Sequence, residues 1–469
     1  MLALAVVFVL GFAASSFAIH AEIPAETQAV VAGGGTQITI GGDLRFRGLY
    51  QRNTQDFDSN ASQSGSGGDA SKYDTRVRLS VDAKVTPNTE GFIQLEGGND
   101  SGASQDINNW GTPAANGSFG ATGSLPFANN KVSSMKILQA WILHQGTGLL
   151  GVPALVKVGH MPIQIGPNGL FYEHTKFGDD AILLGADPVK GMHLILGTVK
   201  MSEGSVGISD DINAYTFIGS YDFAKDTGVG LDVTYADGQN VLAGADLHLW
   251  NFGVNGKIRV VGLGIKGEFD VQDVKFEDVP SSAHVDDKYI TTAAKLDFDY
   301  RIDPVTLMLT GAYGSGNNNK SALGSKSFVT SQSFIQHSTF IYEYLTANAA
   351  GNLNGGGLQN TWYVKLAAKA DIMKNLDATL SLYYLQAMTK MSIGTGAYNT
   401  AGTSKNIGTE IDWIANYKID KNLTYYVEGG YLFAGDFWKG ANNTSNAALY
   451  RDRSPDDAWA IRHGIQLSF

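Results

Sequence analysis

Hydrophobic and polar residues alternate one by one along much of this chain. In the last segment, AWAIRHGIQLSF, Trp459, Ile461, His463, Ile465, Leu467 and Phe469 fall on one side. Ala460, Arg462, Gly464, Gln466 and Ser468 fall on the other. A period of two is the mark of a β-strand. The same pattern puts Tyr73, Val77, Leu79 and Val81 opposite Asp74, Arg76, Arg78 and Asp82. It puts Ile290, Leu296, Phe298 and Tyr300 opposite Lys295, Asp297, Asp299 and Arg301. It puts Ile411, Trp413, Ala415 and Tyr417 opposite Glu410, Asp412, Asn416 and Lys418. These runs outlast the ~5–6 residues of an ordinary strand. No segment carries an apolar stripe of helical period.

About 18 such segments are predicted. Their approximate spans are 36–52, 71–86, 90–99, 131–145, 153–166, 178–187, 190–201, 210–224, 227–237, 240–252, 256–277, 287–302, 304–315, 357–373, 376–392, 404–419, 422–437 and 456–469. Short connections with turn chemistry fall at 86–89, 186–191, 224–228, 301–305, 373–377 and 418–423. Long polar ones fall at 53–70, 100–130, 167–177, 278–286, 316–356, 393–403 and 438–455. Short and long take turns, with the weakest break near 238–239, so the long loops leave on one side. A soluble sandwich has no reason to sort its loops. A barrel in an outer membrane does.

Backbone groups cannot stay unpaired in hydrocarbon, so membrane strands must close into a barrel. The expected fold is all-β: a transmembrane antiparallel barrel of about 18 strands, apolar outside and polar within, wide enough for an aqueous lumen. Trp459, Phe469, Trp413 and Tyr417 are then expected to face lipid as girdle residues.

Composition fits this reading. Charged residues make up 17% of the 469, below the usual quarter, beside 57 Gly, 20 Tyr and 22 Phe. There is no cysteine, which excludes disulfides and thiolate metal sites. The net charge of −11 argues against nucleic acid as a partner. Residues 1–21 read as a signal peptide cleaved after Ala18 or Ala21. No Lys or Arg precedes its apolar run, which predicts a start codon slightly upstream. A short periplasmic segment, 22–35, and the barrel, 36–469, would follow. No later window is apolar enough for a transmembrane helix.

The terminal strand ending in Phe469 resembles the C-terminal insertion signal of bacterial outer-membrane porins. The stretches LVKVGHMPIQIGPNGLFYEHTKFGDDAILL (155–184) and IGTEIDWIANYKIDKNLTYYVEGGYLFAGDFW (407–438) resemble the alginate-export-like porins. Where that family often carries Gly-Arg, this chain has Gly159-His160. The resemblance implies an outer-membrane channel in a Gram-negative cell, exported through the periplasm. Its partners would be outer-membrane lipid, small hydrophilic solutes or ions and the barrel-assembly machinery; a homotrimer is one option, and with every strand apolar outside no single wall is marked as a trimer face. No cofactor and no catalysis are expected.

The candidate chemistry lies on the polar faces. Arg45, Arg47, Arg76, Arg78 and Arg462 fall on the first, second and last strands, which closure makes neighbours. Two readings stand: a basic ladder that draws anions, or a wall pinned by ion pairs with Asp43, Asp74, Asp82 and Glu428. Glu410, Asp412, Glu428, Asp297 and Asp299 are expected to line the pore, with Asp232, Asp246, Glu268 and Asp270 near the opposite wall. They would favour cations or merely solvate the lumen. The longest loops would narrow it, with Trp110, Phe119 and Phe127, or Phe334, Phe340, Tyr342 and Tyr344, as an aromatic slide or as loop anchors.

Weaker signals remain. GLGIKG at 262–267 matches a nucleotide-loop pattern but reads as a strand. His160, His174 and His193 form no spaced metal cluster. Asp56, Asp58 and Asp69 would bind calcium or sit in a solvated loop. Two further functions are weighed: a barrel sheath around a partner such as a cytochrome, and an outer-membrane hydrolase. For the latter, His463 falls on the lipid face and no serine stands out as its partner.

Overall fold

The computed structural model describes residues 29–33, 35–54, 57, 59, 69–98, 134–148, 151–204, 210–242, 245–277, 287–316, 327–332, 339–346, 358–390, 404–439 and 454–469. The signal peptide expected over 1–21 lies outside the described residues, as do Trp110, Phe119, Phe127, Phe334, Asp56 and Asp58.

Twenty strands join one sheet. They are β1 (Ala29–Gly33), β2 (Thr36–Arg52), β3 (Ala70–Thr86), β4 (Thr89–Gly98), β5 (Ser134–Thr147), β6 (Pro153–Ile165) and β7 (Tyr172–Ala186). Then come β8 (Met192–Ser202), β9 (Ile212–Ala224), β10 (Thr227–Leu242), β11 (Ala245–Val260), β12 (Leu263–Glu277), β13 (Asp287–Ile302) and β14 (Val305–Gly314). Last are β15 (Ser331–Gln332), β16 (Thr361–Met373), β17 (Leu376–Ala387), β18 (Asn406–Asp420), β19 (Leu423–Ala434) and β20 (Ala458–Ser468). Eighteen of them, all but β1 and β15, form an antiparallel barrel closed by β2 against β20.

The closing seam leaves no open edge. β20 pairs with β2 from Arg52↔Trp459 to Asp43↔Ser468. Phe469 then exchanges backbone hydrogen bonds with Gly42, at 2.8 and 3.0 Å. Beyond that point β1 takes over, pairing Ala29↔Ile40 to Gly33↔Thr36. Gly42 is needed here: a Cβ on it would lie 2.4 Å from the Arg78 carbonyl oxygen and 2.9 Å from the Phe469 ring.

Sidedness follows the alternation. Val254, Leu231, Ile182 and Leu366 are among the many large apolar side chains that point outward and are exposed. Residues of the opposite parity, such as Asp232, Asn251, Glu268 and Asp270, point inward and are buried. That polarity is inverted relative to a soluble barrel and fits hydrocarbon outside.

The connections alternate as expected, except that β7 begins at Tyr172, within the loop expected over 167–177. One end holds 87–88, 148–152, 187–191, 225–226, 261–262, 303–304, 374–375 and 421–422. The other holds 53–69, 99–133, 166–171, 203–211, 278–286, 315–360, 388–405 and 435–457, with 243–244 as its one tight member. Two expectations need correction. The break expected near 238–239 is absent, because β10 continues to Leu242 through a register irregularity. β11 then runs from Ala245 through the gap expected at 253–255 to a turn at Val261 and Gly262, whose φ values of 48° and 84° are both left-handed. Two such residues make the tight hairpin turn that suits twisted strands. The expected segments 240–252 and 256–277 therefore resolve as β11 and β12. Gly262 of GLGIKG is a turn residue, and the rest of that motif is strand.

The inner face is not polar throughout. Met161, Ile163, Ile165, Leu183, Val199, Ala214 and Ala236, on β6 to β10, are buried. They form one cluster with Leu170, Phe171 and Phe328, which come from connections folded inward. The expectation of water along the whole inner wall fails here because the chain supplies its own apolar cover.

Val254→Arg places a guanidinium on the outer wall of β11 near mid-strand. It should cost about 2–4 kcal/mol of stability in a bilayer, read by urea titration in lipid vesicles, while Asn255→Arg on the inner face should cost less.

Candidate functional site

The lumen is the candidate site, and its wall is built from the pleat. Asp43, Arg45 and Arg47 are successive inward positions of β2, and Asp74, Arg76 and Arg78 those of β3. Register sets Arg47 opposite Asp74, and Arg78 opposite Glu96 of β4. Arg47 Nε reaches Asp74 Oδ2 at 2.8 Å. Arg76 reaches Asp43 Oδ1 at 2.7 Å, and Arg78 reaches Glu96 Oε2 at 2.6 Å. Across the seam, Arg462 pairs with Glu428. Arg45 shares Asp74, at 4.0 Å. The five arginines are thus brought together on one wall, interleaved with Asp43, Asp74, Glu96 and Glu428. Among the described residues, five guanidiniums interleave with these four carboxylates on one wall. Asp82 lies nearer the short-turn end of β3 and takes no part. Glu96 was missed in the sequence, where nothing marks it as an ion-pair partner without the register.

Glu410 and Asp412 also point inward, but they receive backbone. The connection from β14 to β16 enters the lumen and forms a six-residue helical segment, Phe340–Leu345. The Phe340 N–H donates to Asp412 Oδ2 at 3.0 Å. Those of Ile341 and Tyr342 donate to Glu410 at 2.5 and 3.0 Å. The first N–H groups of a helix have no partner within it, so carboxylates suit them. Thr339 and Glu343 close a reciprocal cap, Glu343 N–H to Thr339 Oγ1 at 2.9 Å and Thr339 N–H to Glu343 Oε2 at 3.2 Å. The Arg462 guanidinium lies 5.0 Å from the Phe340 ring centre and 4.8 Å from that of Tyr344. One face of the ion ladder is therefore roofed by the inserted segment.

A second insert uses the same device on the opposite wall. The 166–171 turn gives the Asn168 and Leu170 N–H groups to Glu268 of β12, at 2.5 and 3.3 Å. Lys266 Nζ donates to the Pro167 carbonyl at 2.8 Å. Gly166, at φ 74°, is required: a Cβ there would lie 2.2 Å from Glu268 Oε1. The strap at 327–332 locks onto this turn. Val329 exchanges hydrogen bonds with the Gln272 amide at 2.8 and 2.9 Å, and β15 pairs in parallel with Tyr172 and Glu173 of β7.

The remaining candidates lie apart. Asp297 accepts from Thr310 Oγ1 at 2.6 Å. Asp299 pairs with Arg259 at 2.9 Å, nearer the short-turn end. Asp232 and Asp270 both accept from Asn251 Nδ2, at 3.3 Å each. Phe340 and Tyr342 are buried against the wall, while Tyr344 packs on Arg462. Outside, Trp459 and Phe469 mark opposite ends of β20, and Tyr417 and Trp413 share the outer face of β18. His160, His174 and His193 each meet a different aspartate. Among the described residues no group of three or more His, Asp or Glu is placed to hold a metal ion.

Charge-assisted hydrogen bonds contribute about 1.5–3 kcal/mol each, so Glu410→Ala with Asp412→Ala should undock the Phe340–Leu345 segment. Single-channel conductance should rise above that of the parent, and the Phe340, Ile341 and Tyr342 amides should lose hydrogen-exchange protection.

Residues 278–450 match the family described as alginate export. No curated protein matches the chain. Among solved structures, the chain is similar to a BenF-like porin from Pseudomonas fluorescens Pf-5, with a TM-score of 0.51 at 10% identity over 92% of this chain and 99% of that one. It is also similar to OccK9 (OpdG) of Pseudomonas aeruginosa, with a TM-score of 0.50 at 12% identity over 92% and 98% of the two chains. OccK1 (OpdK) of the same organism gives a TM-score of 0.50 at 10% identity over the same shares. Identities this low speak to the fold. The chain is a closed 18-stranded β-barrel of the outer-membrane porin fold, and its 278–450 stretch is similar to the alginate export family.

Proposed function

We propose that this barrel is an outer-membrane porin through which small hydrophilic solutes or ions diffuse along a charged, narrowed lumen. The observation that carries the reading is the pairing of an apolar outer wall with an inner wall of interleaved guanidiniums and carboxylates, roofed by inserts of the same chain. Such inserts set the bore. Passage by this route needs no catalysis. The inserts occupy the lumen from two walls, which leaves little space for a haem protein and counts against a sheath. Delivery by the barrel-assembly machinery follows from the same reading, and a homotrimer is one assembly it allows.

The wall charges set the selectivity. Paired ions make a field of alternating sign, and the five arginines gathered on β2, β3 and β20 are the groups that draw anions to that wall. The test is a planar bilayer under a salt gradient. Steady single-channel steps are expected, and Arg45→Ala with Arg47→Ala should move the reversal potential toward cation preference. Folded, heat-modifiable protein that never conducts would sink the reading.

A further inference from the structure

One side-chain cluster stands apart from the ion ladder, inside the long-loop end of β7. Ser331 Oγ lies 3.0 Å from His174 Nε2. On the far side of the same ring, Nδ1 lies 2.7 Å from Asp179 Oδ2. The strap brings the serine to the histidine across 157 residues of sequence. We propose that Ser331, His174 and Asp179 form an activated serine nucleophile that acts on small ester solutes entering the lumen.

The roles follow from the geometry. The charge of the Asp179 carboxylate beside Nδ1 favours the ring proton on that side, so Nε2 presents its lone pair to the serine hydroxyl. Asp179 also accepts from the Tyr172 hydroxyl, which fixes the carboxylate from a second direction. The imidazole is held flat against the Tyr172 ring, with centroids 4.6 Å apart and planes 11° apart. The Ser331 N–H donates to the Phe171 carbonyl at 2.7 Å, which fixes the nucleophile's backbone. All three members are therefore held before any solute arrives, as nucleophilic catalysis needs. They are also reachable: the side chains of His174 and Asp179 keep 18% and 14% of their exposure, and Ser331 is half-buried.

The chemistry balances with water from the lumen. Ser331 Oγ bonds to the ester carbonyl carbon as its proton passes to His174 Nε2. The bond to the leaving alcohol breaks, and that alkoxide takes the proton from Nε2. Water then attacks the acyl-serine with the same base, which frees a carboxylic acid and restores the hydroxyl.

A fluorophosphonate probe tests the first step alone. Its P–F bond breaks, fluoride leaves, a bond from Oγ to phosphorus forms, and the hydroxyl proton passes to Nε2. The purified folded barrel in detergent is treated and digested, and the peptide holding Ser331 is read by mass spectrometry. The expected result is a label at Ser331, none with S331A, and labelling slowed about 100-fold by H174Q, the size of a general-base contribution. Heat-denatured protein keeps the serine but loses the geometry, and it should not label. A heat-modifiable barrel without label at Ser331, or with equal labelling in the denatured sample, would overturn the proposal. The readout is independent of conductance, so this inference and the porin reading fail separately.

Discussion

A backbone N–H or C=O left unpaired in hydrocarbon costs several kcal/mol, and a sheet meets that demand only by closing on itself. Everything else in this chain answers to that constraint. Eighteen strands pair edge to edge, and the last joint is the demanding one because β20 is shorter than β2. Phe469 ends the pairing at Gly42, and β1 covers what remains. Closure then divides side chains by parity. One parity meets lipid and is apolar. The other meets the lumen and carries the charge.

The same demand recurs inside. Each insert brings backbone into the lumen without a strand partner for all of it. The wall answers with carboxylates, Glu410 and Asp412 for one segment and Glu268 for the other. These acids hold the chain that narrows the passage, so their direct contact is with backbone. The arginine ladder stands beside the first insert and holds it through Arg462. Bore and field are thus coupled: moving the Phe340–Leu345 segment would uncover the ladder.

The barrel was legible in the sequence because parity is a local property. Each of the eighteen expected segments corresponds to a barrel strand, and the sorted loops announced the sidedness. Two breaks were misplaced: Gly238 and Asn240 carry turn composition but lie within β10, and Gly253 and Asn255 lie within β11, whose true turn at Val261-Gly262 carries little of it. The 316–356 connection was expected to narrow the lumen, whereas the one at 166–171 was expected only as a loop. Their docking depends on backbone N–H groups, which leave no side-chain mark. The serine, histidine and aspartate were invisible for another reason: Ser331 meets His174 only through a two-residue parallel pairing inside the barrel.

The most direct test of the inverted polarity uses the absence of cysteine. Single cysteines placed at 252, 254 and 258, and at 255, 257 and 259, sample the two parities of β11. In lipid vesicles the even set, carrying a fluorophore, should be quenched by brominated lipid and ignore a charged thiosulfonate. The odd set should react with the thiosulfonate and escape the lipid quencher. Both sets quenched by lipid, or neither reached from water, would contradict an aqueous lumen behind an apolar wall.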